Sequence, residues 1–178
     1  MATTTTETAD LCKAMFVGAV AGTLGSFAMT RFHVALSGRG LAGSEQPQSN
    51  KPVEGRDDVT MKTADLVAQS TAGRPLTRRE KREFGGPAAH YAFGAAAGAL
   101  YGALRELKSE SPLLEGGKFG TAVWALADQI ALPAVGLSPW PLKTYPAVTN
   151  LQHLISHLVY GWTTAATYRA LRGARAAG

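Results

Sequence analysis

The chain has 178 residues, 18 Lys and Arg against 13 Asp and Glu, a formal net charge of +5 and a single cysteine. That length suits one domain, and Cys12 alone leaves no internal disulfide and no cysteine-rich metal site. The basic residues are split among separate loops without interleaved aromatics, which argues against a nucleic-acid partner. The mean hydropathy of −0.02 averages a long polar loop with four stretches that are nearly free of charge.

In chain order, residues 1–12 are polar and read as an unstructured N-terminus ahead of a single domain over 13–172. Residues 14–36 form the first apolar run, interrupted by Arg31 and His33 near its end. About 20 apolar residues at 1.5 Å each cross a hydrocarbon core. The residues before the run include Glu7 and Asp10 with one Lys13, unlike the basic head of a cleaved signal. Residues 38–56 are rich in Gly, Ser, Pro and Gln and read as a linker within a polar loop, 38–86. In that loop, Asp57 and Asp58 offer an N-cap for a helix over 59–71 with an apolar face of Ala64, Leu66, Val67 and Ala68. Gly73 and Pro75 end it. Thr77 to Glu80 has the capping-box pattern and opens a short basic helix that Gly85 and Gly86 are expected to stop. Further apolar runs follow at about 87–104, 117–136 and 149–171, with Pro133 expected to kink the third. A tail at 173–178 closes the chain. No useful strand-like alternation occurs. The expected fold is therefore all-α, a four-helix transmembrane bundle with short surface helices in the loop between spans one and two.

Glycines supply the packing signal. Gly94, Gly98 and Gly102 recur every four residues in the second run, and Gly18 and Gly22, with Gly25, repeat the device in the first. In lipid, helices associate through close contact rather than burial of apolar area, so small residues belong at the seams.

The polar residues inside the runs carry the functional signal. His33 falls late in span one, His90 early in span two, Asp128 in span three, and His153 and His157 early in span four. Four crossings bring all five into one half of the bilayer. His153 and His157 share a helix face. Such a cluster fits hydrogen bonding between helices, or proton or ion handling, because imidazole titrates near neutrality and an intramembrane carboxylate calls for a partner. It also fits a metal or haem site with His153, His157, His90 and Asp128 as candidate ligands. No Gly-x-Ser-x-Gly elbow, phosphate loop or dinucleotide motif occurs, and Ser156 lies on a different helix face from His157. A catalytic role is not expected. Trp124, Trp140, Trp162 and Tyr145 read as interfacial or packed rings. Lys and Arg are divided almost evenly between the two sides, so the positive-inside rule leaves orientation open.

Three stretches carry a family likeness: His90-Tyr91-x-x-Gly94-x-x-x-Gly98-x-x-Tyr101-Gly102; Phe119-Gly120-x-x-Val123-Trp124-x-x-Ala127-Asp128-x-x-x-Leu132-Pro133-x-x-Gly136-Leu137; and His153-Leu154-x-Ser156-His157-Leu158-x-Tyr160-Gly161. Over roughly residues 86–162 the chain resembles the YagU-like family of uncharacterised bacterial inner-membrane proteins. The resemblance implies a multi-span inner-membrane protein with no established reaction, and it places His90, Trp124, Asp128 and His157 in one site. The expected partners are the lipid bilayer and other membrane proteins or further copies of the chain.

Overall fold

The computed structural model describes residues 2–37, 58–105 and 112–176; the linker expected at 38–56 lies outside the described residues. These residues are all helical, with no strand among them. Helix α1 is Ala2–Ser37, α2 Val59–Ala72, α3 Arg78–Glu80, α4 Gly86–Arg105, α5 Pro112–Val123, α6 Leu132–Ala134, α7 Pro141–Thr144 and α8 Ala147–Ala176. Two π-helical segments, Lys81–Gly85 and Trp124–Ala131, join α3 to α4 and α5 to α6.

Helix α1 runs antiparallel to α4 and α8, and α8 runs antiparallel to α5. Their closeness follows from the glycines. A Cβ on Gly98 would strike the Gly18 carbonyl and come within 2.7 Å of the Gly22 Cα, and one on Gly22 would meet the Gly94 carbonyl and the Gly98 Cα at 2.8 Å. The α5–α8 seam is built the same way, with Gly116 and Gly120 against Gly161 and the His157 carbonyl. Tyrosines fill the remaining side. Tyr160 donates to the Gly94 carbonyl at 2.7 Å, and Tyr101 packs on Phe119 and Tyr168 with ring centroids 4.9 and 5.6 Å apart.

The buried set is mixed: Ala14, Val17, Ala21, Tyr101, Ala165 and Tyr168 form an apolar core, but polar side chains share the interior and many large apolar ones lie outside it. Buried side chains include Ser26, Gln129, Thr149, Asn150, Ser156, His157 and Thr164, whereas Phe16, Phe27, Phe93, Leu100, Leu126, Ile130, Leu151 and Trp162 are exposed. By length and composition, one helix among the described residues is able to cross a membrane: Thr8–Leu36 within α1, with mean hydropathy 1.5. The expectation of four such spans is thus met in one. Helix α4 devotes its length to Gly, Ala and Tyr, the third run is divided among α5, a π-segment and α6, and α8 carries a polar face.

Other expectations also change. Residues 2–12, expected to be unstructured, continue α1, since a nucleated helix extends at little cost per residue. Residues 173–176, expected as tail, likewise extend α8. Helix α2 starts from the Asp58 cap, whose carboxylate accepts from the Met61 N–H at 2.8 Å, and ends at Gly73 with φ +68°. The Thr77–Glu80 capping box forms. Gly85 and Gly86 do not stop the helix that follows. They let it pass close to α2, where a Cβ on either would meet Ala64, Thr60 or Met61 at 3.0–3.2 Å. Asp65 completes this junction, accepting from Lys81 at 2.8 Å and from the Leu76 N–H at 2.7 Å. The Lys81 ammonium, then the Leu76 N–H, hold its carboxyl below the usual carboxylate range.

Candidate functional site: a carboxylate–imidazole pair on a π-helix

Gly116, Gly120, Trp124 and Asp128 recur every four residues. In an unbroken α-helix that spacing drifts by ~40° per step, which would carry Asp128 away from the face on which Gly116 and Gly120 meet α8. The π-helix over Trp124–Ala131 takes up the drift, with the Leu132 N–H bonded to the Ala127 carbonyl, five residues back. Pro133 supplies a local reason: it has no N–H, and its ring crowds the carbonyl four residues before it. The expected kink therefore takes the form of a widened turn ahead of Pro133. The helix then closes in a Schellman motif, with the Leu137 N–H on the Leu132 carbonyl and Gly136 at φ +76°.

The result is one close pair. His157 Nε2 lies 3.4 Å from Asp128 Oδ2, with side-chain exposures of 9% and 25%. His157 Nδ1 lies 2.8 Å from the His153 carbonyl on its own helix. His153 and His90 are within electrostatic range of the same carboxylate. The His153 ring lies 6.3 Å from that of His33 and 6.5 Å from that of Tyr145, measured between centroids.

His90 is directed elsewhere. Its Nε2 faces Thr30 Oγ1 at 3.3 Å and the Ser26 carbonyl at 3.4 Å. The Thr30 hydroxyl already donates to the Ser26 carbonyl at 2.9 Å, so His90 Nε2 is the donor to both oxygens. His90 is a tie between α4 and α1. Ser156, fully buried, donates to the Gln152 carbonyl at 2.8 Å and takes no part in the pair. Among the described residues, no three His, Cys, Asp or Glu side chains converge as a metal ion requires. The four residues expected as candidate ligands instead form a pair, a tie and an imidazole one turn away.

Two further polar groups adjoin Asp128 in the chain: Trp124, which the family resemblance already implies for this site, and Gln129, which it does not. Gln129 is 8% exposed, and neither of its amide atoms has a protein hydrogen-bond partner; the Trp124 indole N–H, also buried, has none either. Trp124 lies one turn before Asp128, and Gln129 follows it directly. At the other end of the bundle, Glu115 meets Arg105 at 2.8 Å and Arg169 at 3.7 Å and accepts from Tyr101 at 3.3 Å. The Gly116-x-x-x-Gly120 spacing is a signal of the same kind as Gly94-x-x-x-Gly98, and it marks the α5–α8 seam.

No protein-family model matches the chain, and no curated protein or solved structure does either.

Proposed function

We propose that this chain is a four-helix membrane protein, a non-catalytic component of the bilayer, whose bundle holds one exchangeable proton on the Asp128–His157 pair. The outward-facing apolar side chains support the bilayer: many Leu, Phe, Ile and Trp side chains are exposed, while Gly, Ser, Thr and Tyr occupy the seams. Hydroxyls in the long helices are turned back on their own helix, as with Thr23 on the Ala19 carbonyl at 3.0 Å and Thr164 on the Tyr160 carbonyl at 2.8 Å. That is the arrangement a medium without water requires. The resemblance to the YagU-like family favours the bacterial inner membrane as the location.

One observation carries the proton. A backbone carbonyl only accepts, so His157 Nδ1, 2.8 Å from the His153 carbonyl, bears hydrogen. In the neutral ring Nε2 is then a bare lone pair facing Asp128 Oδ2 at 3.4 Å. Two acceptors facing each other in a buried site repel unless a proton lies between them. The pair therefore exists as carboxylate with imidazolium or as carboxylic acid with imidazole, neutral overall in both forms.

Solid-state NMR of protein in bilayers, labelled with 15N-histidine and 13C-aspartate, tests this. At neutral pH either a doubly protonated His157 or a protonated Asp128 is expected, and Asp128→Asn should abolish the coupled titration. A neutral His157 beside an ionised Asp128 would overturn the proton reading. Release of the chain from membranes without detergent would overturn the bilayer reading.

A further inference from the structure

We infer that the proton on Asp128–His157 exchanges with one face of the membrane only, the face of the 38–86 loop, through His153 and His33. The site is thus a closed proton well and not part of a path across the bilayer. This rests on the proton reading above and adds the side and the route.

Toward the 38–86 loop the groups form a series. His153 is one helical turn from His157, and its ring is 6.3 Å from His33 near the end of α1 and 6.5 Å from Tyr145 in the turn before α8. One water molecule bridges polar groups at such separations. Gln129, the Ser138 hydroxyl and the Asn150 carbonyl oxygen, which follow Asp128 in the chain or begin α8, are buried without a protein hydrogen-bond partner, and polar surroundings of this kind hold ordered water. Among the described residues, other ionisable groups on this side include His90 and Tyr91 on α4, Arg31 on α1 and Lys62 on α2. None continues the series. His90 is bonded to α1, Tyr91 stands edge-on to it at 5.5 Å, Arg31 lies over the Phe27 ring, and Lys62 donates to the Leu137 carbonyl at 3.0 Å.

In the opposite direction the series stops. Beyond His157 on α8 come Tyr160, Thr164 and Tyr168, whose hydroxyls donate to the carbonyls of Gly94, Tyr160 and Gly102. Each of these hydroxyl protons is directed at a backbone carbonyl, which accepts a hydrogen bond but does not pass a proton on. The backbones also meet there. A Cβ on Gly120 would come within 2.9 Å of the His157 carbonyl carbon, and one on Gly161 within 2.8 Å of the Gly120 Cα. The next charged group facing inward is Glu115, already paired with two arginines.

The test uses the full chain in sealed vesicles, with infrared difference spectroscopy following Asp128 and His157 after a step in external pH. Cys12 is exposed and lies toward the N-terminal end of α1, the end remote from the histidines. Labelling it from outside with an impermeant maleimide therefore counts the molecules that present the sealed face. The fast response should come from the unlabelled fraction alone. His153→Phe and His33→Phe should slow that response by roughly tenfold or more, while Tyr160→Phe leaves its rate unchanged and an imposed gradient drives no more proton flux than in empty vesicles. A fast response in every molecule, a response confined to the labelled fraction, unaltered rates in both histidine variants, or net proton flux would each overturn the one-sided well. Absence of any pH-dependent signal at Asp128 or His157 would instead overturn the proton reading, and the well with it.

Discussion

The two halves of the bundle solve the problem of packing four helices in opposite ways. In the half remote from the 38–86 loop, glycine backbones touch, tyrosine hydroxyls end on carbonyls, and Glu115 closes the end with Arg105 and Arg169. In the other half the third run widens into a π-helix, and His33, Trp124, Gln129, His153 and His157 stand where small residues would otherwise be. One half minimises volume, and the other holds polar groups that need partners. Stability should reside in the first half, and the exchangeable proton in the second.

The sharpest break of that contrast is Gly98→Leu. Even a Cβ there would strike the Gly18 carbonyl, so the variant should lose about 3 kcal/mol or more, read as lost folded yield and lower thermal stability in detergent. Ala96→Leu, on an exposed position of the same helix, should be near neutral. Equal yields would remove the seam from the account.

Glu115→Ala comes next. It leaves the Arg105 and Arg169 guanidinium groups close together without their carboxylate, at a cost of about 3 kcal/mol. Denaturation should register that loss, whereas the infrared titration of Asp128 and His157 should keep its midpoint. A shifted midpoint would mean that the two halves are coupled.

Asp128 gives the converse. Asp128→Leu strands the His157 Nε2 and should cost about 1–3 kcal/mol. Asp128→Asn keeps the shape, offers its amide N–H to that nitrogen, and should fold close to normally while losing the exchangeable proton. An asparagine variant as unstable as the leucine variant would assign the pair to structure alone.

The smallest effect lies in the surface segment before α4. Arg74, first, and then the Thr77 backbone N–H lower the Glu80 carboxyl to about 2 from the ordinary 4.5. Because the folded value is the lower one, the stability Glu80 adds is complete above 4.5 and is lost as pH falls through about 2. Amide exchange at Thr77 and Glu80 should quicken over that acid range, and Glu80→Ala should show the faster exchange already at neutral pH. An unchanged exchange rate in the variant would rule out the capping box as the cause.

How far the sequence disclosed this contrast depends on the kind of signal. Glycine spacing at 94, 98 and 102 is periodic, so the α1–α4 seam was legible, as were the Asp58 cap and the Thr77 capping box, which are local. The gathering of the histidines toward one end of the helices was open to counting along straight helices. Their partners were not. Choosing between His90 and His157 for Asp128 depends on rotation about the helix axis, and the π-turn alters that rotation without any change in composition. The continuation of α3 into α4 was hidden for a related reason. Gly85 and Gly86 read locally as a stop, and only the nearness of α2 makes them a close contact.

The π-helix also has a consequence for recognising kindred chains. A π-turn is what an α-helix becomes when it accommodates an extra residue without disturbing the contacts on either side. A chain one residue shorter between Trp124 and Ala131 would keep the Gly116–Gly161 seam and the Pro133 cap, yet turn its carboxylate away from α8. Similarity scored over the whole helix would rate two such chains as nearly the same. The length of this eight-residue stretch, more than the identity of its residues, would separate chains that retain the carboxylate–imidazole pair from those that share only its scaffold.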